Sequence, residues 1–495
     1  MSAYYQLEMD FMRLGHLEDA AGLLHWDAAT VMPAGGADAR ADQLATLNVL
    51  HHQMICDPRL AARLDAAEAE AGLGPWQAAN LREMRRLWRH ATAVPLDLVE
   101  ALSKACSRCE MAWRAARPAN DFAGLAPLLA EVLGLVRQAA AAKAAAFDCA
   151  PYDALLDEHD PGLRAADLDT LFDELAGFLP GLAEGALAAQ AARPAPPRPE
   201  GPFPVASQRA LAKRLMVAMG FDFDYGRLDA SDHPFCSGVP DDVRITTRYD
   251  ESDFMTALMG VLHETGHALY DRGLPGDWRG QPVGRARGMG IHESQSLLVE
   301  MQACRSRGFL KFAAPLMREA FDGAGPAWEP ENLYRAYVRV APGLIRVDAD
   351  EVTYPIHVLL RYRLERAMID GRLEIADLPG AWADGMRDLL GLTVPDDADG
   401  CLQDSHWPDG AFGYFPSYTV GALTAAQIFD AARQADPGIE PAIARGDFAP
   451  LRAWLTANIY GKGSFLATDD LMVEATGRPL ETAPFRAHLE ARYLD

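Results

Sequence analysis

His263-Glu264-Thr265-Gly266-His267 constrains this chain more than any other stretch, because two imidazoles four residues apart converge on one point only when the backbone between them is helical. On such a helix His263 and His267 share a face, and Glu264 lies along the flank of whatever they hold. This is the outline of a metal site that acts on water. A zinc ion lowers the pKa of a bound water from about 9 toward about 7, and an adjacent carboxylate can take its proton during attack on a peptide carbonyl. The competing interpretation is a pair of core histidines on a buried helix, which the same spacing also produces.

The flanks favour the metal. Phe254 through Leu269 reads as a helix with Phe254, Leu258, Val261, Leu262 and Leu269 on its apolar face. Ser252 or Asp250 is the expected N-cap, and Gly273 and Pro275 are the stop signals. A structural zinc closes its shell with cysteine or histidine, whereas a catalytic one keeps three protein ligands and an open position. A third ligand is therefore required. Glu293, in Ile291-His292-Glu293-Ser294-Gln295-Ser296, opens a second apolar helix running on through Leu297, Leu298 and Met301, and its carboxylate would complete a His2Glu set. The alternative for His292-Glu293 is an ordinary helix start, where an acidic residue suits the dipole.

Further motifs appear in order along the chain: His233-Pro234-Phe235, Asp242-Val243-Arg244-Ile245-Thr246, Ile345-Arg346-Val347-Asp348-Ala349-Asp350, and Gly400-Cys401-Leu402-Gln403-Asp404-Ser405-His406-Trp407. With the histidine motif and His292-Glu293-Ser294-Gln295, they closely resemble the carboxypeptidase Taq family of metallocarboxypeptidases, over nearly the whole chain. Leu24-His25-Trp26-Asp27 to Met32-Pro33, and Phe412 to Tyr418, also match family positions. Four places depart from the pattern: Ala28-Ala29 for Gln-Glu, Pro355 for Asn, Val299-Glu300-Met301 for Trp-Glu-Asn, and Ala422 for Asn. None falls on His263, Glu264, His267 or Glu293, so they bear on the shape of the cleft.

The resemblance implies Glu293 as third ligand of zinc, or of a substitute divalent ion such as cobalt, and removal of single residues from peptide C-termini. It also implies a homodimer, broad side-chain tolerance, and poor action at C-terminal proline. The fold it implies is mainly α, a single deep-grooved helical zincin domain (neurolysin-like) with a small β element near the active site. An exopeptidase of this polarity must recognise a free carboxylate, which a buried arginine binds through bidentate, charge-assisted hydrogen bonds. Arg346 is the first candidate and Arg244 the second; a structural pair with Asp348 or Asp350, or with Asp242, is the alternative for each. His406 and Tyr418 are candidates to donate to the tetrahedral oxyanion, with Tyr414 competing for the tyrosine's part. His233 and Gln403 are taken as further substrate-binding candidates. The rival functions are an oligoendopeptidase with the same zinc chemistry and a catalytically silent, peptide-binding helical protein. Glu264 argues against the silent protein, since a metal scaffold has no use for it.

Forty-six basic against seventy acidic residues leave a net charge of −24, which disfavours nucleic acid and anionic membranes as partners. The first residues lack a basic start and an apolar core, and no run of about 18 apolar residues is expected, so the chain is placed in the cytoplasm. Seven cysteines, an odd number scattered from Cys56 to Cys401, do not form a disulfide framework. The Cys106-x-x-Cys109 pair falls in a helical pattern, Leu98 through Trp113, and reads as ordinary thiols.

Helix patterns dominate residues 1–200, including Phe122 to Phe147 and Asp167 to Ala192, and residues 201–495 carry the zinc site. The breaker cluster from Arg193 to Pro202 is read as an extended connection inside one domain spanning 1–495 rather than as a domain linker. Asp242 to Tyr249 is the clearest strand, and its position before the zinc helix suggests an edge that pairs with bound peptide.

Overall fold

A computed structural model describes residues 2–494. The N-terminal part runs as α1 (Ala3–Thr30), α2 (Ala37–Ile55), α3 (Pro58–Glu68), α4 (Pro75–Ala93), α5 (Leu96–Ala119), α6 (Phe122–Phe147), α7 (Pro151–His159), α8 (Ala165–Ala191) and α9 (Val205–Met219). Three strands follow, β1 (Gly226–Ala230), β2 (Phe235–Val239) and β3 (Asp242–Thr247), then α10 (Phe254–Gly273) and α11 (Met289–Leu297). The remainder comprises α12 (Arg307–Ala320), α13 (Pro330–Tyr337), α14 (Tyr354–Ile369), α15 (Leu378–Leu390), α16 (Pro416–Ala435), α17 (Ile439–Ile443), α18 (Ala449–Asn458), α19 (Thr468–Thr476) and α20 (Ala483–Tyr493). The fold is mainly α with one small sheet, as the sequence predicts.

The helix bearing the histidines starts at the expected place, but its cap is Asp253. That carboxylate accepts from the N–H groups of Met255 (2.9 Å) and Thr256 (3.3 Å), a contact worth about 1 kcal/mol. Asp250 and Ser252, the expected caps, instead bond one another and close the preceding turn.

The strand expectation is corrected in one respect. Strand β3 is the centre of the sheet, parallel to β1 and antiparallel to β2, so both its edges are already paired. It packs its buried residues Val243 and Ile245 into the core beneath α10. The edge strand nearer the histidine helix is β2, which touches both α10 and α1.

Apolar faces meet in three clusters. One joins α6 and α8 to α14, α15, α16 and α20, through residues such as Leu129, Phe172, Leu359, Trp382 and Phe485. A second surrounds α10 and α11 with α9 and α12, through Leu215, Leu262, Leu298 and Phe309. A third, smaller one unites α1, α3 and α4 through Leu7, Leu64 and Met84. The first cluster draws on both sides of residue 200. The breaker segment between α8 and α9 is held at its end, where the Phe203 N–H donates to the Glu251 carbonyl at 2.8 Å.

No unbroken run of about 18 apolar residues occurs, but α6, although interrupted by Glu131, Arg137 and Lys143, is long and apolar enough to cross a membrane by length and composition. Its Leu125, Leu129, Val132, Leu133 and Val136 line the first core, which accounts for that composition. All seven cysteines are free, and Cys109 is buried in the same core.

Candidate active site

His263 and His267 stand one turn apart on α10 with ring centres 5.1 Å apart and planes nearly perpendicular. From α11, Glu293 sends Oε1 to 3.8 Å from Nε2 of His263 and Oε2 to 3.4 Å from Nε2 of His267. One ligand atom from each residue lies within 4.8 Å of the other two. Two glycines let α11 come this close. A Cβ at Gly266 would stand 2.5 Å from the Gln295 carbonyl oxygen, and one at Gly421 on α16 would stand 2.8 Å from Cγ of Glu293. Larger residues at either point would push the carboxylate away from the histidines.

Two imidazole nitrogens and one carboxylate, converging from two rigid helices, suit a divalent transition ion with room for further ligands. The outer contacts hold those donors by different means. Nδ1 of His263 lies 3.0 Å from Oε2 of Glu300, whose Oε1 accepts from Nη2 of Arg305 at 2.6 Å. His267 is instead stacked on His292 at 4.4 Å, and Nε2 of His292 lies 3.0 Å from Asp271. The charges of His263 and His267 outweigh the burial penalty on Glu293 and hold its carboxyl down at about 2. Glu264, buried beside them, is pushed up to about 7, mainly by burial and secondarily by Glu293, against the pull of His263.

A second group lies within reach of the Glu293 charge, which acts on both of its tyrosines. Nε2 of His406 lies 3.2 Å from the Tyr418 hydroxyl, and the Tyr414 ring sits 5.4 Å from that of Tyr418. Burial, helped by Arg346, lowers His406 to about 4, so the imidazole is neutral at neutral pH. Burial pushes the Tyr414 phenol up to about 12, with the Glu293 charge adding to the effect.

Arg346 is buried, but its partner is neither Asp348 nor Asp350. Its Nε and Nη2 donate to Oδ1 of Asp404 (3.1 and 2.7 Å), and Nη1 donates to the Tyr354 hydroxyl (2.6 Å). Arg244 forms the expected two-point pair with Asp242 (3.1 and 2.7 Å) and lies 4.3 Å over the Trp26 ring of α1. Two substrate-binding candidates are not brought in. His233 is exposed between β1 and β2, where its backbone carbonyl accepts from Ser231, and no hydrogen bond, ion pair or ring contact joins its side chain to the central group. Gln403 turns inward: its oxygen accepts from the Arg346 N–H and from Arg361, and its amide donates to the carbonyls of Leu344, Asp399 and Gly400. No polar capacity remains there for a peptide.

Sequence reasoning missed Glu300, Asp271, Tyr354 and Arg361. Glu300 reaches His263 from a π-helical stretch, Leu298–Cys304, that continues α11. Such widened turns cluster at functional sites but have no local sequence signature. Gly421 offered a signal, being a glycine inside an apolar helix.

A profile of the carboxypeptidase Taq (M32) metallopeptidases matches residues 6–493. The chain belongs to this family. Thermostable carboxypeptidase 1 of Thermus thermophilus is 42% identical, with 99% of this chain and 98% of the relative covered. Carboxypeptidase 1 of Bacillus subtilis is 32% identical over 97% and 96% respectively. Among solved structures, metallocarboxypeptidase 1 of Trypanosoma cruzi superposes with a TM-score of 0.98 at 42% identity, covering 100% of this chain and 99% of its own. The M32 carboxypeptidase of Deinococcus radiodurans gives 0.93 at 37%, over 99% and 98%. Membership makes this chain a metallocarboxypeptidase, and the His–His–Glu group offers the metal a place.

Proposed function

We propose that the enzyme removes residues singly from peptide C-termini, with zinc, or cobalt in its stead, held by His263, His267 and Glu293. The observation that carries this reading is the His263–His267–Glu293 donor set with Glu264 buried beside it and Tyr414 and Tyr418 near enough for the Glu293 charge to act on their phenols. When bound, the ion supplies Lewis acidity, polarising the scissile carbonyl and acidifying water. Glu264 takes the proton of the attacking water on its carboxylate and passes it to the departing amine. A carboxyl raised by burial is a competent base near neutrality, and a nearby cation draws its pKa back down. His406 and Tyr418, neutral donors in a buried setting, stabilise the developing oxyanion, with Tyr414 packed against them.

Arg346 is the preferred anchor for the terminal carboxylate. Arg244 is matched one-to-one by Asp242, whereas the carboxylate facing Arg346 is shared with a second arginine. Peptide backbone is assigned to the edge of β2 rather than β3; Cys236 of that strand is close enough to Glu264 for the carboxylate to help raise its thiol pKa. The chain acts as one catalytic body, a reading supported by the core that mixes both halves. It works as a homodimer in the cytoplasm, a reducing compartment that suits seven free thiols.

The test is a matched pair of peptides, one a free acid and one C-terminally amidated. Removing the terminal charge leaves a desolvated guanidinium partly unmatched, which should slow cleavage by about 30-fold or more. A chelator should abolish activity, and zinc should restore it. Equal rates at the same internal bond of both peptides would make the enzyme an endopeptidase.

A further inference from the structure

Behind the His406–Tyr418 pair, two guanidiniums share one carboxylate. Asp404 gives Oδ1 to Arg346 and Oδ2 to Arg361, the latter at 2.7 Å from Nε. Arg361, on α14, is fully buried, donates to Gln403 Oε1 (2.7 Å) and the His357 carbonyl (2.9 Å), and lies 4.6 Å over the Trp382 ring. No face of it is open to a peptide.

The charges in this pocket do not balance. Of the other acids nearby, Glu293 belongs to the metal-donor set, and Glu365, one turn further along α14, accepts hydrogen bonds from neutral donors: Trp407 Nε1, the Tyr152 hydroxyl and the Gly413 N–H. Burial pushes the Glu365 carboxyl up to about 7, so its charge is partial at neutrality and fades below it. His357 and His406 are held neutral, at about 3 and about 4, by burial and the arginines. Two fixed positive charges therefore face one fixed negative charge in a largely buried region, where such an excess acts strongly on an incoming anion.

We infer that Arg361 is a positioning residue for the substrate's terminal carboxylate: by occupying half of Asp404 it leaves Arg346 with charge to offer. The inference rests on Arg346 being the anchor. Without Arg361, Asp404 would face Arg346 alone, as Asp242 faces Arg244, and an entering carboxylate would lose its hydration for little electrostatic return.

The experiment compares kcat and KM on the acid and amide peptides for wild type, Arg361→Met and Arg361→Lys, each checked for zinc content and thermal midpoint. The Met variant should lose at least about tenfold of the acid preference, through a higher KM for the acid, while its rate on the amide stays within about threefold. The Lys variant keeps the charge and should hold the preference within about threefold of wild type. An unchanged preference in the Met variant, or an equal loss on both peptides, overturns the inference. If the Met variant does not fold, collapse of the preference in a folded, zinc-loaded Lys variant does the same. No preference in wild type would instead remove Arg346 as the anchor, a different failure.

Discussion

Glu264 and Glu300 both lie beside His263, yet their replacement should separate chemistry from metal binding. Glu264→Gln preserves the donor set and should bind zinc and peptide normally while losing several orders of magnitude in turnover. Retention of more than about a tenth of the activity, a barrier change of only about 1.4 kcal/mol, would exclude Glu264 as the base. Glu300→Gln should do the reverse: the neutral amide still fills the space but no longer fixes and polarises His263 as a carboxylate does. Zinc affinity, measured by competition with a chelator, should fall by about 10-fold or more. Wild-type affinity in that variant would mean the 3.0 Å contact has no influence on the metal. The first of these residues was legible in the sequence because helical spacing alone places it; the second was not, since its reach depends on a π turn formed far from His263 in sequence.

At the scale of elements, two of the three glycines of α10 have opposite meaning. Gly260 has open space where a Cβ would point, so Gly260→Ala should stabilise the helix by about 0.5–1 kcal/mol and leave activity unchanged. Gly266→Ala forces a methyl against the backbone of α11 and should cost roughly 1–3 kcal/mol, with weaker zinc binding because Glu293 rides on that helix. Thermal midpoints and chelator competition on both variants check this. Equal behaviour of the two would show that close approach of α10 and α11 is not what places Glu293. The sequence marks α6 and α10 well because their apolar periodicity is local. It marks β3 but not its partners: Gly226–Ala230 and Phe235–Val239 lack strict alternation, and what makes them strands is pairing with β3. Without those partners, the centre of the sheet was mistaken for its edge.

Across the whole molecule, the C-terminal helix is tied to the segment that precedes α14 by a single buried carboxylate. Glu351 accepts from Nη1 of Arg492 (2.9 Å) and the Tyr493 hydroxyl (2.8 Å), and lies 2.8 Å from Nε2 of His488, all on α20. Burial opposes its charge, but Arg492 and His488 outweigh that and hold the carboxyl far below its ordinary 4.5. The unfolded chain therefore binds a proton here more readily than the folded one, and the stability contributed by Glu351 is present above about pH 4.5 and is lost as pH falls through and below it. Burial also holds His488 below its ordinary 6.5, so the unfolded state gains protons there first and the loss begins earlier on acidification. Glu365 acts in the opposite sense: its raised carboxyl favours the folded state most at low pH and less as pH climbs from 4.5 toward 7. Glu351→Gln leaves Arg492 buried without its counter-charge and should destabilise by about 3–5 kcal/mol near neutrality. Thermal midpoints of wild type and variant, followed from about pH 7 down to about pH 2, should stay apart to about pH 4.5 and converge below it as the wild type loses what the variant never had. A gap that stays constant over that range would mean that Glu351 holds α20 by shape and hydrogen bonding, with its charge making no net contribution.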